Sequence, residues 1–368
     1  MRDTILTELK QQHPHATQAE LVELGKAKGL SRSACYRWLD KQKREAMTDG
    51  TPTGYIIKGR STLYDADGNV KQEWVKTQLE KEELLNQLHE AVEGIIEPCK
   101  GVVPFIKEPK RLDKDIMASY ILADPHVGMY AWQQESGADQ STELVVEWMN
   151  KVQGRLIAAA PPSEVCLIEN LGDYFHADSI ENKTMRSGNI LDVDSRWAKV
   201  LMAGVQCYRD IIMMALTKHK KVIVKSVVGN HDDHSNVMLA MAMQLAFENN
   251  PRVEIHLPIN PFSYHEFGNV LIGMTHYCKP DRLPSIMAED MREAWGRCDF
   301  CFFHQAHNHT QSLFEYPGCT VEGFGTIAAK DAWTNGKGYR SRRYMQNIIY
   351  HKLYGEIGRT RVGIESIL

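Results

Sequence analysis

The sequence predicts an α/β protein built from buried strands that alternate with helices. From about residue 116 onward, five short apolar runs each end abruptly in polar residues: MASYILADPH, EVCLIENLGD, KVIVKSVVGNHD, NVLIGMTH and DFCFFHQAHNH. Helical stretches lie between them, around residues 142–159, 192–218 and 235–249. Such alternation indicates an α/β sandwich around a largely parallel or mixed sheet, which we assign to residues 116–368.

The first 47 residues predict a separate, small all-α domain that looks like a helix-turn-helix module. Three amphipathic segments cover roughly residues 3–13, 18–28 and 32–45, and the third carries Arg32, Arg37 and Lys41 beside apolar positions, as a recognition helix does. Nine Lys and Arg against six Asp and Glu give residues 1–47 a charge of +3, which favours DNA as the partner. A protein-binding or purely structural helical hairpin is the alternative.

Residues 48–115 predict a connector made of a linker, a β-hairpin and a helix. The linker MTDGTPTGYIIKGRS is rich in Gly, Pro and Thr. The following STLYDADGNVKQEWVK alternates apolar and polar residues around an Asp-Gly/Gly-Asn turn, which predicts a hairpin. A helical stripe of Leu, Val and Ile over residues 78–96 predicts a helix with one packing face.

Composition excludes several classes of protein. Hydrophobic residues make up 43% of the 368, enough for a sizeable core, and no run approaches the roughly 18 to 20 apolar residues of a membrane span. The opening MRDTILTELKQQHPH lacks a secretory pattern, so we expect a cytoplasmic protein. The eight scattered cysteines are expected to be reduced core residues, and a net charge of −4 argues against a wholly basic nucleic-acid coat. A homo-oligomer stays open.

The polar residues that end the five apolar runs form a candidate metal site. Their side chains are carboxylates, imidazoles and one amide: Asp124, His126, Asp173, Asn230, His276, His307 and His309. Asp124 and His126 stand two residues apart, so in extended chain their side chains point the same way and can share an ion. His307 and His309 have the same spacing. Each cluster follows a strand, which is where open α/β sheets bind ligands.

These ligand types suit Mn²⁺, Fe²⁺ or Zn²⁺ better than Ca²⁺. Seven ligands are enough for two divalent ions if one carboxylate bridges them. Two ions about 3.5–4 Å apart can bind a bridging hydroxide and polarise a phosphoryl oxygen. We therefore expect two divalent metal ions, with Mn²⁺ first and Mg²⁺, Fe²⁺ or Zn²⁺ as alternatives.

The order of the motifs resembles that of the calcineurin-like metallophosphoesterases over roughly residues 116–330. The motifs are D-x-H, G-D-x-x-H, G-N-H-D, an isolated His and H-x-H. The resemblance implies a β-sandwich flanked by helices. It implies one metal held by Asp124, His126, Asp173 and His309, and a second held by Asp173, Asn230, His276 and His307. Asp173 would bridge the two.

The same resemblance implies two further roles. His231 would stabilise the phosphoryl oxygens or protonate the leaving group. Asp232 would orient His231, although a helix N-cap is nearly as good an interpretation. The second motif has His176 where protein phosphatases of the superfamily have Asp, and this His resembles the repair nucleases of the SbcD type, in which it contributes to nuclease activity.

Basic residues near the motifs are candidate substrate contacts. Arg186 and Arg196 lie in the insert between the second and third motifs, where Asp192 and Asp194 could orient them, and an ordinary loop is the alternative. Residues 330–368 hold eight Lys and Arg against three Asp and Glu, a local charge of +5 that includes Arg340, Arg342 and Arg343. Such a segment is typical of a nucleic-acid backbone groove, or of a solvated basic face.

The sequence therefore predicts a two-metal phosphodiesterase, first of all a DNA nuclease in which the N-terminal module helps to hold DNA. This arrangement also resembles metallophosphoesterases encoded by tailed bacteriophages. A phosphodiesterase of a cyclic nucleotide or dinucleotide is the second hypothesis. A protein phosphatase is the third, disfavoured by His176. A catalytically silent DNA-binding scaffold is the hypothesis from a different class, and it would lack tightly bound metal.

Overall fold

The computed structural model describes residues 2–13, 16, 18–31, 35–36, 38–39, 55–65, 70–79, 103–184, 187–338 and 340–368. The predicted recognition residues Arg32, Arg37 and Lys41, as well as Arg186, lie outside this part of the chain. The chain forms two compact units, Met1–Ala91 and Val92–Leu368. The finer division at residues 47 and 115 stays a prediction.

The first unit contains the first two predicted helices and the hairpin, while most of the third predicted helix, residues 32–45, lies outside the described residues. Helix α1 covers Arg2–Gln12 and α2 covers Gln18–Ala27, within about a residue of expectation. Their apolar faces contribute to a small core of buried side chains: Leu6, Leu9, Leu21, Val22, Cys35, Trp38 and Leu39.

Strands β1 (Tyr55–Tyr64) and β2 (Val70–Leu79) pair antiparallel and confirm the hairpin. Two predicted boundaries in this region were wrong: the end of the linker and the start of the following helix. The strand β1 begins inside the predicted linker, and β2 runs through Leu79, which pairs with Tyr55, so the helix predicted from residue 78 cannot begin there. The rest of that predicted helix, from residue 80, lies outside the described residues.

The second unit has a six-stranded sheet whose order is β13-β12-β3-β4-β5-β6. In chain order its strands are β3 (Asp113–Leu122), β4 (Ser163–Asn170), β5 (His219–Ser226), β6 (Val253–Ile255), β12 (Tyr344–His351) and β13 (Gly355–Gly363). The four strands β3 to β6 are parallel, while β12 and β13 are antiparallel additions at one edge. The apolar run of β3 is buried over its last seven residues, as expected for a parallel strand covered on both faces.

A five-stranded sheet has the order β10-β11-β9-β8-β7. In chain order its strands are β7 (Phe262–Phe267), β8 (Val270–Thr275), β9 (Phe300–Gln305), β10 (Ser312–Tyr316) and β11 (Cys319–Gly323). The pairs β8 with β9 and β9 with β11 are parallel, and the two edge strands are antiparallel to their neighbours.

Apolar side chains of the two sheets meet in one core, which confirms the predicted sandwich. From the six-stranded sheet come Met117, Ile121, Leu167 and Ile223, and from the five-stranded sheet Val270, Ile272 and Met274. The alternate residue Leu271 points to the outer face, where it packs in a second core with residues of the covering helices such as Leu283 and Met287. This period of two is what a strand buried between two layers requires.

Helices cover the sandwich at several positions. They are α3 (Gln133–Ser136), α4 (Thr142–Ala159), α5 (Trp197–Leu216), α6 (Ser235–Ala246), α7 (Leu283–Asp290), α8 (Arg292–Arg297) and α9 (Ala332–Gly336). The three predicted helical stretches are confirmed as α4, α5 and α6. Helix α5 begins at Trp197, five residues after the predicted start at residue 192. The residues before Trp197 make other hydrogen bonds: Asp194 N donates to Gly128 O, and the Asp194 carboxylate accepts from Thr142 N.

Two further expectations can be compared with the described residues. All seven described cysteines are free of disulfides and six of them are buried, as predicted for reduced core residues. None of the described helices combines the length and apolar character that a membrane-spanning helix requires.

Candidate metal centre

Five loops that follow β3, β4, β5, β8 and β9 meet at one place in the second unit. These strands end at Leu122, Asn170, Ser226, Thr275 and Gln305, and each predicted ligand comes within four residues of one of these ends. The loops surround a cavity of about 560 Å³. Its wall includes eight of the motif residues: His126, Asp173, His176, Asn230, His231, His276, His307 and His309. The structure therefore brings together residues that are 185 positions apart in the chain, from Asp124 to His309.

The first cluster consists of Asp124, His126 and His309. One ligand atom of each lies within 4.8 Å of the others. The two imidazoles approach through their Nε2 atoms, 3.0 Å apart. Asp124 is fully buried, and its Oδ2 accepts a hydrogen bond of 2.8 Å from the backbone N–H of His307.

The second cluster consists of Asp173, His276 and His307, again within 4.8 Å, with Asn230 beside them. The Nε2 atom of His276 lies 3.1 Å from Asn230 Oδ1, 3.1 Å from His307 Nδ1 and 3.3 Å from Asp173 Oδ2. On its other side, His276 Nδ1 donates to Leu171 O at 2.8 Å. That bond places the proton on Nδ1 and turns Nε2 toward the cluster, as a metal-binding imidazole requires.

A third group joins His176 and His231 to His126. The Nδ1 atoms of His176 and His126 are 3.3 Å apart, and the rings of His176 and His231 stack with centroids 5.2 Å apart at 23°. His231 Nδ1 donates to His176 O at 2.8 Å, which leaves its Nε2 for another partner. His176 is thus part of the same cluster as the predicted ligands.

These side chains fit divalent cations on two observations. Asp124 Oδ1 and His176 Nε2 are buried side-chain atoms without a hydrogen-bond partner in the described part of the chain, and such atoms are costly unless an ion or water satisfies them. The 3.0 Å separation of the His126 and His309 nitrogens also fits. Two ligand nitrogens about 2.1 Å from one ion and at right angles to each other lie about 3.0 Å apart.

Backbone conformation at the ligands differs from the expected extended chain. Among the described residues, six that are not glycine have positive φ, and five of them are predicted ligands: Asp124, His126, Asp173, His307 and His309. A left-handed conformation costs a residue of this kind of order 1–3 kcal/mol and persists only when surrounding structure imposes it. The expectation of extended chain at the D-x-H and H-x-H pairs was wrong: left-handed backbone brings Asp124 and His126 into one cluster, and it places His307 and His309 in different clusters.

Close approach of two loops explains the glycines of the G-D and G-N-H-D motifs. A Cβ on Gly172, whose φ is +89°, would lie 2.8 Å from both Gly229 N and His276 Nδ1. A Cβ on Gly229 would lie 1.9 Å from Asp173 Oδ1. Because both contacts involve the backbone or a ligand, only glycine fits at either position.

Asp232 has a different position from the one that the resemblance implied. Its carboxylate accepts hydrogen bonds from the backbone N–H groups of Asp173, Tyr174, Phe175 and Gly229 and from the Asn236 amide. Both oxygens are used on these donors, while His231 Nδ1 is bonded to His176 O. Asp232 therefore holds the second and third motif loops against each other. The cap of α6 is instead provided by Asp178, which accepts from the N–H groups of His234 and Ser235.

Burial and neighbouring charges raise the pKa of some clustered side chains and lower the pKa of others. Burial and the charges of neighbouring histidines lower the pKa of His176 to about 3, and burial lowers that of His309 to about 4, so both imidazoles are neutral at pH 7. Burial also lowers the pKa of His126, and burial raises that of Asp124 well above its usual value. Burial alone would lower the pKa of His276, but the carboxylates of Asp173 and Asp124 outweigh it and raise that pKa to about 10.

The predicted substrate arginines occupy different positions. Arg196 is exposed directly before α5, and Arg340 and Arg342 are exposed between α9 and β12. Arg340 donates to Asn335 O, next to Thr334 of the cavity wall. Arg343 packs against the scaffold, because its guanidinium lies 4.5 Å from the centre of the Trp148 ring and its Nε donates to Ile327 O.

Part of the cavity wall had no recognised signal in the sequence. It includes Met129, Tyr277, Asp331 and Thr334, together with Thr184, Ser187, Asn189, Ile190 and Leu191. Tyr277 could have been noticed because it directly follows the ligand His276. The others belong to loops without a motif, so only the folded chain brings them to the site.

Comparison with protein-family models and with curated proteins finds no match to this chain. Solved structures similar to it include a predicted phosphoesterase from Streptococcus pneumoniae, with 10% identity over 68% of this chain and 99% of the other and a TM-score of 0.30. Vps29 of Entamoeba histolytica complexed with Zn²⁺ has 12% identity over 67% and 99%, with a TM-score of 0.30. Vacuolar protein sorting 29 of Cryptosporidium parvum has 14% identity over 68% and 100%, with a TM-score of 0.31. Likenesses of this size carry no argument about what the site does.

Proposed function

We propose that this chain is a metal-dependent phosphodiesterase that cleaves DNA. The observation that carries the proposal is the convergence of two clusters of metal-binding side chains in one cavity, Asp124 with His126 and His309, and Asp173 with His276 and His307. Asn230 completes the second cluster through its contact with His276. Paired oxygen and imidazole sites of this kind are typical of enzymes that hydrolyse phosphate esters.

Each residue has a definite task in this proposal. Asp124, His126 and His309 would hold one ion, and Asn230, His276 and His307 the other, with Asp173 between the clusters. When bound, the two cations would lower the pKa of water and neutralise charge on the phosphoryl oxygens. The carboxylate of Asp173 is held in place for this purpose, because its Oδ1 accepts from His231 N at 2.8 Å.

His231 is the group best placed to serve the substrate's leaving oxygen. Its ring lies on the cavity wall, and the hydrogen bond from its Nδ1 to His176 O fixes the ring with Nε2 available. A proton on Nε2 can pass to the oxygen that departs when the P–O bond breaks. The neutral ring of His176, stacked on His231, would position it.

Exposed arginines near the cavity support DNA as the substrate. Ser341, which lies between Arg340 and Arg342, hydrogen-bonds through its hydroxyl to Thr310, the residue after His309. Arg340 also contacts the last turn of α9, whose Thr334 lines the cavity. The two arginines therefore lie close to the metal cluster and could bind neighbouring phosphates of a strand. The N-terminal module, through Arg32, Arg37 and Lys41, would add a second DNA contact.

A small nucleotide is the second candidate substrate, and one observation favours it. The wall residues that the structure describes include no lysine or arginine, and a volume of about 560 Å³ is in the range of small-ligand pockets. A cyclic dinucleotide would find its phosphate at the metal cluster and neutral polar groups around the rest.

One comparison of substrates tests both candidates. We would load the full chain with Mn²⁺ and measure hydrolysis of single-stranded DNA, linear double-stranded DNA, a cyclic dinucleotide and a phosphomonoester. The matched variants are Asn230→Ala and His231→Ala, with His256→Ala, a partly exposed histidine outside the cavity, as the control.

We expect DNA cleavage that is lost in the two cavity variants and kept in His256→Ala. Turnover of the cyclic dinucleotide without turnover of either DNA would favour the second candidate. Hydrolysis of the phosphomonoester alone would contradict both. A chain that binds DNA but holds no metal and hydrolyses nothing would be a scaffold.

A further inference from the structure

The cavity has an aromatic wall that the metal chemistry does not use. Tyr277 follows the ligand His276 and lines the cavity, and 49% of its surface is exposed. Its ring lies against the ring of His307, with centroids 4.9 Å apart and an angle of 38° between the planes. One face of Tyr277 is thus supported by a residue of the metal cluster, and part of the ring is left open to a ligand.

Outside the metal clusters, the cavity lining consists mostly of apolar and uncharged side chains. Met129, Ile190, Leu191 and Pro261 supply apolar surface, and Ile190 is 83% exposed. Thr184, Ser187, Asn189, Asn308 and Thr334 supply neutral polar groups. Such a wall favours a flat, largely apolar ring that also carries a few hydrogen-bonding groups.

The charge of the cavity lining argues against binding of a second phosphate away from the metal clusters. Asp331 is half-buried there, and its carboxylate accepts from the Thr334 N–H at 2.8 Å and from the Thr334 hydroxyl at 2.7 Å. Within the described part of the wall no lysine or arginine opposes this negative charge. A ligand with one phosphate at the metal cluster and an uncharged remainder beside Tyr277 fits the distribution of charge.

We propose that Tyr277 forms a base-stacking subsite that binds an unpaired nucleobase next to the scissile phosphate. This inference rests on the proposed function and narrows its substrate to nucleoside phosphodiesters whose base is free to stack. A base inside a duplex is already stacked between its neighbours. A single strand or a frayed end presents its bases to an aromatic side chain, and such stacking tolerates different bases.

Two substrates with the same leaving group isolate the base. The p-nitrophenyl ester of thymidine 5′-monophosphate carries a base, and the p-nitrophenyl ester of 1,2-dideoxyribose 5-phosphate has the sugar and phosphate without the base. The ratio of their kcat/KM values would be measured for the Mn²⁺-loaded wild type, Tyr277→Ala and Tyr277→Phe. Tyr354→Ala, which removes an exposed tyrosine in the β12–β13 turn, is the matched control.

We expect Tyr277→Ala to lower the ratio by roughly 5- to 150-fold, the usual range for loss of one base–aromatic stack. Tyr277→Phe keeps the ring and should keep the ratio, as should Tyr354→Ala. An unchanged ratio in Tyr277→Ala would overturn the subsite. An unchanged ratio that comes from equal losses of kcat/KM on both substrates would mean that Tyr277 acts by supporting His307.

Binding without turnover separates failure of the subsite from failure of the proposed function. Thymidine 5′-monophosphate and 2-deoxyribose 5-phosphate share a sugar and a phosphate and differ by the base. Calorimetric titration of wild type and Tyr277→Ala with each compound gives the same ratio from dissociation constants. If no phosphodiester is hydrolysed, the proposed function fails, and this binding ratio still decides whether Tyr277 stacks on a base.

Discussion

Replacing Asp232 by asparagine should destabilise the second unit, because this one carboxylate satisfies five donors. Its Oδ1 accepts from the N–H groups of Asp173 and Gly229, at 3.1 and 2.9 Å. Its Oδ2 accepts from Tyr174 N, Phe175 N and the Asn236 amide, at 2.7, 3.3 and 3.1 Å. Asparagine has the same shape but turns one of these oxygens into an NH₂ group, whichever way its amide is oriented.

At least two buried N–H donors would then face another donor. Each unsatisfied buried group costs about 1–3 kcal/mol, so the free energy of unfolding should fall by roughly 2–6 kcal/mol. That is a large share of the roughly 5–15 kcal/mol by which a domain is stable. In one orientation the affected N–H groups are those of Asp173 and Gly229, and in the other they are those of Tyr174 and Phe175, which follow Asp173. Metal affinity should therefore fall as well.

Urea unfolding in EDTA, followed by circular dichroism, would measure the loss of stability. Because a chain with two compact units can unfold in more than one step, hydrogen exchange of peptides from residues 163–246 would identify the step that changes. Asp281→Asn, at an exposed position of the same unit, is the control and should stay within about 0.5 kcal/mol of the wild type. A loss below 0.5 kcal/mol in Asp232→Asn, with unchanged metal affinity, would refute the conclusion that Asp232 holds the motif loops together.

Three more predictions follow from the same structure. Gly229→Ala places a Cβ 1.9 Å from Asp173 Oδ1 and should reduce bound metal, measured by mass spectrometry of the metal content, whereas Gly296→Ala, with nothing within 4 Å, should not. The pKa of His276 is raised to about 10, so His276 must release a proton to bind metal. Metal affinity measured by calorimetry should therefore fall by up to about tenfold per pH unit as the pH drops from 8 to 6. A metal affinity independent of pH would contradict this. The combined variant Arg32→Ala, Arg37→Ala, Lys41→Ala should bind DNA more weakly, with a smaller dependence on salt; an unchanged salt slope would exclude these residues from the DNA contact.

The positions of the ligands could be predicted because strand ends are easy to recognise. Apolar runs that stop at a polar residue predict where buried strands end, and parallel strands place their carboxyl ends at one edge. That reasoning placed these side chains at one site, and the structure lines one cavity with Asp173, Asn230, His276 and His307, while Asp124 joins the cluster of His126 and His309. The resemblance supplied the division of the ligands into two sets. The structure groups six of these side chains into two clusters, and metal binding by them stays a prediction.

The remaining features depend on contacts between loops, which no local pattern encodes. The left-handed backbone at Asp124 and His126 follows from tertiary packing, since neither residue prefers that conformation strongly. The position of Asp232 could not be predicted, because three of its five donors come from a loop 57–59 residues earlier in the chain. Tyr277 gave no signal of its own, because one tyrosine after a histidine is common, and its position on the cavity wall follows only from the folded loops.

Counting the bound ions tests the central claim most directly. The claim is that two divalent ions are bound by seven side chains: Asp124, His126, Asp173, Asn230, His276, His307 and His309. Native mass spectrometry of the full chain, equilibrated with Mn²⁺ and exchanged into metal-free buffer, would give the number retained by the wild type, by Asp173→Asn and by the control His256→Ala. We predict two ions in the wild type and in His256→Ala, and fewer than two in Asp173→Asn. A wild type that retains no ion, or an Asp173→Asn variant that retains as many as the wild type, would contradict the claim.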